Sequence, residues 1–240
     1  MSDEAIPTPG GRIARRVLNI FFIADRSGSM EGAKIGALNQ AIREVIEPLR
    51  QAAAAHPQVE MKVRAIRFSD DADWHIGPDS VGIDQFTWPD LKAGGRTSTA
   101  KALALLTTEL DIERMPRRGF PPVCILISDG HCTDSEADYD LAIKRLTEIP
   151  WGMKAVRLAI GVGDDYSTEE LLKFVSHKDV GVLDARTADQ LIQYIKWASI
   201  AASISASAGK SAVSQTQRNT AVTLPPPPEP VAIVNPTECF

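Results

Sequence analysis

A single apolar run near the start of the chain sets the strongest limit on its fold. Between Arg16 and Asp25, every residue is apolar except Asn19. A strand with one face in water alternates apolar and polar residues, whereas a strand buried on both faces is apolar throughout. The run therefore predicts a central strand of a parallel sheet. Two comparable runs, at 123–127 and at 156–160, follow further along the chain.

Segments with helical spacing alternate with these strands. Apolar residues recur every three or four positions from Ile35 to Leu49, which predicts an amphipathic helix that Pro48 should kink or end. The other predicted elements are strands at 59–68, 74–76 and 180–183, a long loop at 81–95, and helices at 99–110, 139–149, 167–175 and after the capping box at Thr187. This alternation predicts an α/β fold with a mostly parallel central sheet, helices on both faces and one short antiparallel edge strand.

Composition divides the chain into three parts. We expect a flexible lead-in at 1–14, one folded domain at 15–204 and a Pro/Ser-rich tail at 205–240. The tail is too poor in apolar residues to order itself by burial. Its four consecutive prolines, 225–228, favour polyproline II, either as a spacer or as a docking segment. The apolar residues 231–234 are compatible with a strand that pairs with a partner or folds back.

Charge and cysteine content exclude several classes of function. The formal net charge is −5 and the sequence pI is about 5.4, which disfavours a nucleic-acid partner. No apolar run reaches the roughly 18 residues that a membrane helix needs. Basic residues before Val17 resemble the start of a signal peptide, but Asp25-Arg26 follows the run without a cleavage pattern. Three cysteines make no disulfide framework and favour a reducing, cytoplasmic setting.

Short oxygen-bearing side chains follow the two most apolar strands. Asp25, Ser27 and Ser29 come directly after the first strand, Asp129 comes after the strand at 123–127, and Thr97 precedes a helix between them. Ligands of open parallel sheets bind at the carboxyl ends of strands. Hydroxyl and carboxylate oxygens are ligands for Mg²⁺, Mn²⁺ or Ca²⁺ rather than for copper or zinc. We therefore expect a divalent cation at these loops.

The three loops resemble the metal-ion-dependent adhesion site (MIDAS) of von Willebrand factor A domains. The motifs are Asp25-x-Ser27-x-Ser29, Thr97 within Gly-Gly-x-Thr-x-Thr, and Asp129 within Ser-Asp-Gly. The resemblance covers about 17–201 and implies a three-layer, Rossmann-like fold. It also implies that both serines bind the metal through their hydroxyls, that Thr97 binds it in the ligand-bound state, and that both aspartates act directly or through water. Thr99 is expected to cap the helix or to lie behind the ligands.

The same resemblance implies a function. In the family, an Asp or Glu of a partner protein completes the coordination of the metal, so we expect a non-enzymatic interaction module that binds protein partners. The sequence also resembles the compact bacterial TerY-type proteins of tellurium-resistance and stress operons, in 25–39 and in 127–134. Such proteins are often encoded beside a Ser/Thr kinase and a PP2C-type phosphatase, which implies an adaptor in phospho-signalling.

Two other interpretations remain open at this point. The first is a metal-dependent phosphohydrolase using the same cation, which would need a positioned base or a second metal. Asp25 lacks the second acid two positions later that an aspartate nucleophile usually has, and His131 has no evident nucleophile beside it. The serines also lack the Gly-x-Ser-x-Gly elbow of an α/β-hydrolase. The second is a domain that holds no metal at all.

Overall fold

The computed structural model describes residues 15–116, 118–207 and 222–229. The strands are β1 Arg16–Asp25, β2 Val59–Phe68, β3 Ala72–Gly82, β4 Val123–Ser128, β5 Val156–Val162 and β6 Val182–Ala185. The helices are α1 Ala33–Ala55, α2 Thr99–Glu109, α3 Glu136–Glu148, α4 Pro150–Lys154, α5 Thr168–Phe174 and α6 Ala188–Ser207, with a 3₁₀ turn at Gly28–Met30. The short helix α4 and the full length of β3 have no counterpart among the predicted elements.

The six strands form one sheet in the order β3-β2-β1-β4-β5-β6. All neighbouring pairs are parallel except β2 and β3. The predicted α/β architecture, with β1 at the centre and one antiparallel edge strand, is confirmed. The edge strand is longer than the sequence indicates, because β3 is only half-buried and Gly77, Pro78 and Asp79 interrupt its apolar pattern.

Both faces of β1 are covered, which gives the molecule three layers. Leu18, Ile20 and Phe22 point into a core shared with α1 and α6, whereas Phe21 and Ile23 point into a second core with α2, α3 and α5. Every residue from Leu18 to Asp25 is buried. Asn19, the polar interruption, accepts a hydrogen bond from Arg64 at 3.3 Å, so its buried amide oxygen has a partner.

Helix α1 continues through Pro48, contrary to the alternative that this residue ends its first segment. A proline inside a helix removes one hydrogen bond and costs about 3 kcal/mol. Val45, Ile46 and Leu49 are buried around it. Since each buried aliphatic side chain contributes about 1.5–3 kcal/mol, this packing exceeds the local cost.

The end of the domain differs from the predicted division of the chain. Helix α6 continues to Ser207, past the expected boundary at 204. Val222 and Leu224 pack against the core shared by α1 and α6, so this part of the expected tail is in contact with the domain. The possible strand at 231–234 and Cys239 lie outside the described residues. Within the described ranges, no helix combines the length and apolarity needed to cross a membrane.

Candidate metal centre

The sheet register brings the two predicted aspartates to one edge. Strands β1 and β4 are parallel neighbours, with Ala24 opposite Ile127, so both strands end side by side. Ser128 donates a hydrogen bond from Oγ to Asp25 Oδ2 at 2.5 Å, and Gly130 N donates to the same Ser128 hydroxyl at 2.9 Å. Asp129 therefore enters the loop directly beside the carboxylate of Asp25. Ser128 was part of the sequence motif without an assigned role.

The loop after β1 curls back on its own aspartate. Ser27 N donates to Asp25 Oδ1 at 2.8 Å, and the Oγ atoms of Ser27 and Ser29 lie 2.9 Å apart. A residue at Gly28 with a Cβ would place that atom 3.3 Å from the carbonyl oxygen of Gly95, a tight contact that glycine avoids. Two oxygen-bearing side chains of the predicted set are thereby in contact with each other.

Backbone hydrogen bonds join the Gly94–Thr99 loop to the loop after β1. Gly28 N donates to Gly95 O at 2.8 Å, and Gly94 N donates to Arg26 O at 2.8 Å. These two bonds hold the loops side by side independently of any side chain. Thr97 follows two residues after Gly95 and is buried.

Thr133 and Asp134 fasten the Thr97 segment to the loop after β4. Thr133 donates from N and from Oγ1 to Thr97 O, at 2.8 and 3.1 Å. Asp134 accepts hydrogen bonds from Ser98 Oγ at 2.6 Å and from Ala100 N at 2.7 Å. The carboxylate of Asp134 thus caps helix α2, where Thr99 is the first helical residue. Sequence reasoning assigned no role to this pair, although their position shortly after Asp129 was a usable signal.

Burial makes the acidic pair electrostatically unfavourable without a cation. Burial raises the pKa of Asp25 to about 6, the negative charge of Asp129 adds to this effect, and hydrogen bonds from Ser128 and Ser27 oppose it. Asp129 is 1% exposed, and its Oδ1 atom has no hydrogen-bond partner in the described part of the chain. An unpaired buried polar atom costs about 1–3 kcal/mol, and more when it is charged.

Lys34 is the one cation that contacts Asp129 among the described residues. Its Nζ lies 3.4 Å from Asp129 Oδ2, on the other carboxylate oxygen from the unpaired one. Lys34 stands in the first turn of α1, where the helix dipole disfavours a positive charge. A lysine in this unfavourable position, shortly after Asp25, is a signal in the sequence for a nearby negative charge.

These residues fit a hard divalent cation. Buried carboxylates lie beside serine hydroxyls, and Ser29 is exposed, so the cluster has an edge at the solvent. The described residues hold no group of three or more His, Cys, Asp or Glu side chains able to bind a metal. A metal held at these loops would therefore depend on hydroxyl ligands. That Asp25, Ser27, Ser29, Thr97 and Asp129 bind it stays a prediction.

The possible acid–base residue lies apart from these contacts. His131 is 53% exposed, and its Nε2 atom contacts the carbonyl oxygen of Asp165 and lies 3.5 Å from Asp165 Oδ1. Cys124 is fully buried within β4, where burial raises the pKa of its thiol to about 12. Cys132 is half-buried and donates its S–H to Asp134 at 3.1 Å. Neither cysteine is presented as an activated nucleophile.

Comparison with known families gives one match that spans most of the domain. Residues 19–196 match the family model described as the von Willebrand factor type A domain. The matched region begins within β1 and ends within α6, so it contains all of the loops described above.

Two solved structures with the same fold are those of a mussel byssus protein and of a protein from Sulfolobus acidocaldarius. Proximal thread matrix protein 1 from the mussel byssus, in a structure with a zinc-occupied MIDAS motif, is 18% identical, with a TM-score of 0.54 over 80% of this chain and 46% of that one. The ArnB paralog VWA2 from Sulfolobus acidocaldarius is 17% identical, with a TM-score of 0.56 over 76% of this chain and 45% of that one. This chain thus spans less than half the length of either protein.

Proposed function

This chain belongs to the von Willebrand factor type A family, and from that premise we propose that it is a metal-dependent protein–protein interaction module. Domains of this family can bind a metal at a MIDAS site and mediate protein interactions. The proposed ligands are Asp25, Ser27, Ser29, Thr97 and Asp129.

One observation carries the metal assignment. Asp129 Oδ1 is buried without a partner in the described residues, beside Asp25, whose pKa is raised by burial and by the neighbouring negative charge. Without a cation, the buried negative charges of these two carboxylates destabilise the folded protein. A bound cation stabilises them. The oxygen donors suit Mg²⁺, Mn²⁺ or Ca²⁺. The zinc-occupied MIDAS of the mussel protein supports a divalent ion without selecting among them.

The charge of the ligand set supports an acidic partner. Two carboxylates neutralise the formal charge of a divalent cation, but hydroxyl ligands leave its field exposed toward solvent. Ser29 is an exposed residue and marks the side from which another ligand can approach. We propose that an Asp or Glu side chain of a partner protein binds there, and that the chain acts as an adaptor rather than as an enzyme.

The adaptor hypothesis extends to a class of partner. Resemblance of residues 25–39 and 127–134 to TerY-type proteins supports a role beside a Ser/Thr kinase and a PP2C-type phosphatase in a bacterial stress response. The phosphohydrolase alternative has less support, because His131 contacts Asp165 instead of Asp25 or Asp129. Pull-down with each candidate partner, with Mg²⁺ and with EDTA, tests this: retention that does not change with EDTA contradicts the proposal.

Metal binding is tested by calorimetry on matched variants. We expect Ser27→Ala and Asp129→Asn to weaken Mg²⁺ or Mn²⁺ binding by about ten-fold or more, since each removes a ligand. Asp84→Asn is the control, because Asp84 is an exposed carboxylate outside the three loops. Equal affinity in the wild type and in Asp129→Asn contradicts the metal assignment, provided that circular dichroism shows both proteins folded.

A further inference from the structure

The segment at 222–229 lies against the outer side of helix α6. It contains no helix or strand. Val222 and Leu224 pack against the core beneath α1 and α6, and Val222 O lies 2.6 Å from His177 Nε2, which must donate the hydrogen bond. The proline-rich segment is therefore held at its start by one polar and two apolar contacts.

Two prolines of the segment that lie one turn of polyproline II apart face helix α6. Pro225 and Pro228 line a cavity of about 460 Å³ whose other wall is α6. Polyproline II has three residues per turn, so Pro225 and Pro228 fall on the same edge of the segment. Pro226, between them, does not line the cavity.

The α6 wall has the chemistry of a proline-recognition groove. Trp197, Ile200 and Ile204 line it, one turn of helix apart. The Trp197 indole Nε1 is buried and has no hydrogen-bond partner in the part of the chain that the structure describes. The carbonyl groups of residues 222–229 therefore accept no hydrogen bond from this indole. The groove resembles the aromatic-lined grooves with which several unrelated domains bind proline-rich segments.

We propose that the α6 groove formed by Trp197, Ile200 and Ile204 is a binding site for proline-rich segments. Residues 222–229 are its resident ligand, and a proline-rich segment of a partner protein binds there by replacing them. This site is separate from the loops at the end of β1 and β4, and it does not depend on a metal. Two features favour a proline-rich occupant: the chain's own prolines line the groove, and a preformed polyproline II ligand loses little conformational entropy on binding.

The first test uses the full-length chain and a peptide of residues 222–229. In the wild type, the tethered segment competes with the free peptide at an effective concentration in the millimolar range. Pro225→Asp/Pro228→Asp should expel the tethered segment and raise the affinity for the peptide by about ten-fold or more. Pro226→Asp, the matched control, should behave like the wild type. The Trp197 indole N–H resonance, assigned with Trp197→Phe, reports on binding at the groove.

The second test separates recognition from simple exposure of an apolar face. In the double-proline variant, Trp197→Ala removes the aromatic wall of the groove and should weaken peptide binding by about five-fold or more, whereas Trp197→Phe keeps an aromatic ring and should weaken it less. A peptide with alanine in place of the prolines should not compete. Equal peptide affinity in the wild type and the folded double variant overturns the proposal. Self-association of the double variant in a sedimentation experiment also overturns the proposal, because the α6 groove would then bind a second copy of the chain.

Discussion

Lys34 Nζ lies 3.4 Å from Asp129 Oδ2 and connects the first turn of α1 to the loop after β4. Only 19% of the Lys34 side chain and 1% of the Asp129 side chain are exposed, so solvent screens this pair less than it would a surface ion pair. The lysine thus supplies part of the positive charge that the acidic cluster requires. A divalent cation bound at the same carboxylates is repelled by this lysine.

Lys34→Met should consequently destabilise the metal-free protein and strengthen its binding of metal. Without metal, loss of the ammonium group should lower the free energy of unfolding by about 1–3 kcal/mol, because Asp129 loses a partner. With metal, removal of one like charge should raise the affinity for Mg²⁺ by about ten-fold. Urea denaturation in EDTA and calorimetry with Mg²⁺ measure the two effects.

The control for this prediction is Lys144→Met. Lys144 pairs with Glu148 on the exposed face of α3, with both side chains more than 60% exposed. Surface pairs of this kind contribute little to stability, so neither measurement should change much. An Mg²⁺ affinity that is unchanged or lower in Lys34→Met would show that the lysine does not oppose the cation.

Asp25 should make the stability of the metal-free protein fall as the pH rises. Burial raises its pKa from the ordinary 3.8 to about 6, so between these values the folded state keeps a proton that the unfolded state has released. Ionisation then costs the folded state about 3 kcal/mol, a loss that develops across this window and levels off above it. Other carboxylates act in the opposite direction, so the contribution must be isolated by comparison with Asp25→Asn.

The measurement is the free energy of unfolding in EDTA at a series of pH values. The stability of the wild type relative to Asp25→Asn should decline between about pH 4 and about pH 6 and level off above this range. Saturating Mg²⁺ should remove most of the decline in the wild type, because the cation stabilises the carboxylate form. Parallel pH profiles for the two proteins in EDTA would show that burial does not hold Asp25 protonated.

Asp134→Ala should weaken the centre without removing a proposed ligand. The Asp134 carboxylate caps helix α2 through Ser98 Oγ and Ala100 N, directly after Thr97. Loss of such a cap costs about 0.5–2 kcal/mol. Because the same bonds position the Thr97 segment, we also expect Mg²⁺ binding to weaken by about ten-fold. Thermal unfolding measures the loss of stability, and calorimetry measures the Mg²⁺ affinity.

Asp138→Ala is the matched control for Asp134→Ala. Asp138 accepts a hydrogen bond from Ser135 Oγ at 2.6 Å in the first turn of α3, away from Thr97. Asp138→Ala should lower the free energy of unfolding about as much as Asp134→Ala does, and it should leave the Mg²⁺ affinity unchanged. Equal effects of both substitutions on Mg²⁺ binding would show that the Asp134 cap does not position the site.

Gly95→Ala should disturb the junction of two loops. Gly95 has φ +88°, which disfavours a side chain, and a Cβ there would press on the Asp70 carboxylate and lie 3.2 Å from Ser69 Cβ. Gly32 has a similar φ of +80° with nothing within 4 Å of the added Cβ. Gly32→Ala should therefore cost about 1 kcal/mol from backbone strain alone. Gly95→Ala should cost more, and only Gly95→Ala should weaken Mg²⁺ binding. Equal stability losses would mean that the Gly95 contacts adjust freely.

The sequence predicted the fold best where the apolar residues are also the buried ones. The apolar run of β1 indicated a strand covered on both faces, and the register with β2 and β4 confirms that position. Prediction was weaker for β3, because no residue of this edge strand is fully buried and Gly77, Pro78 and Asp79 interrupt its apolar pattern. It was also incomplete at Pro48, since only the packing of Val45, Ile46 and Leu49 explains why the helix continues.

The sequence by itself determined the α/β architecture and the chemical type of the candidate site, because hydrophobic periodicity and oxygen-bearing loop residues are local properties. Only the tertiary structure decided which other groups act on that site, namely Lys34 beside Asp129 and Asp134 at the start of α2. It also decided that the proline segment lies beside Trp197, away from that site. All of these are contacts between residues distant in the chain. Such contacts depend on how strands and helices pack together, and no pattern within a single segment specifies them.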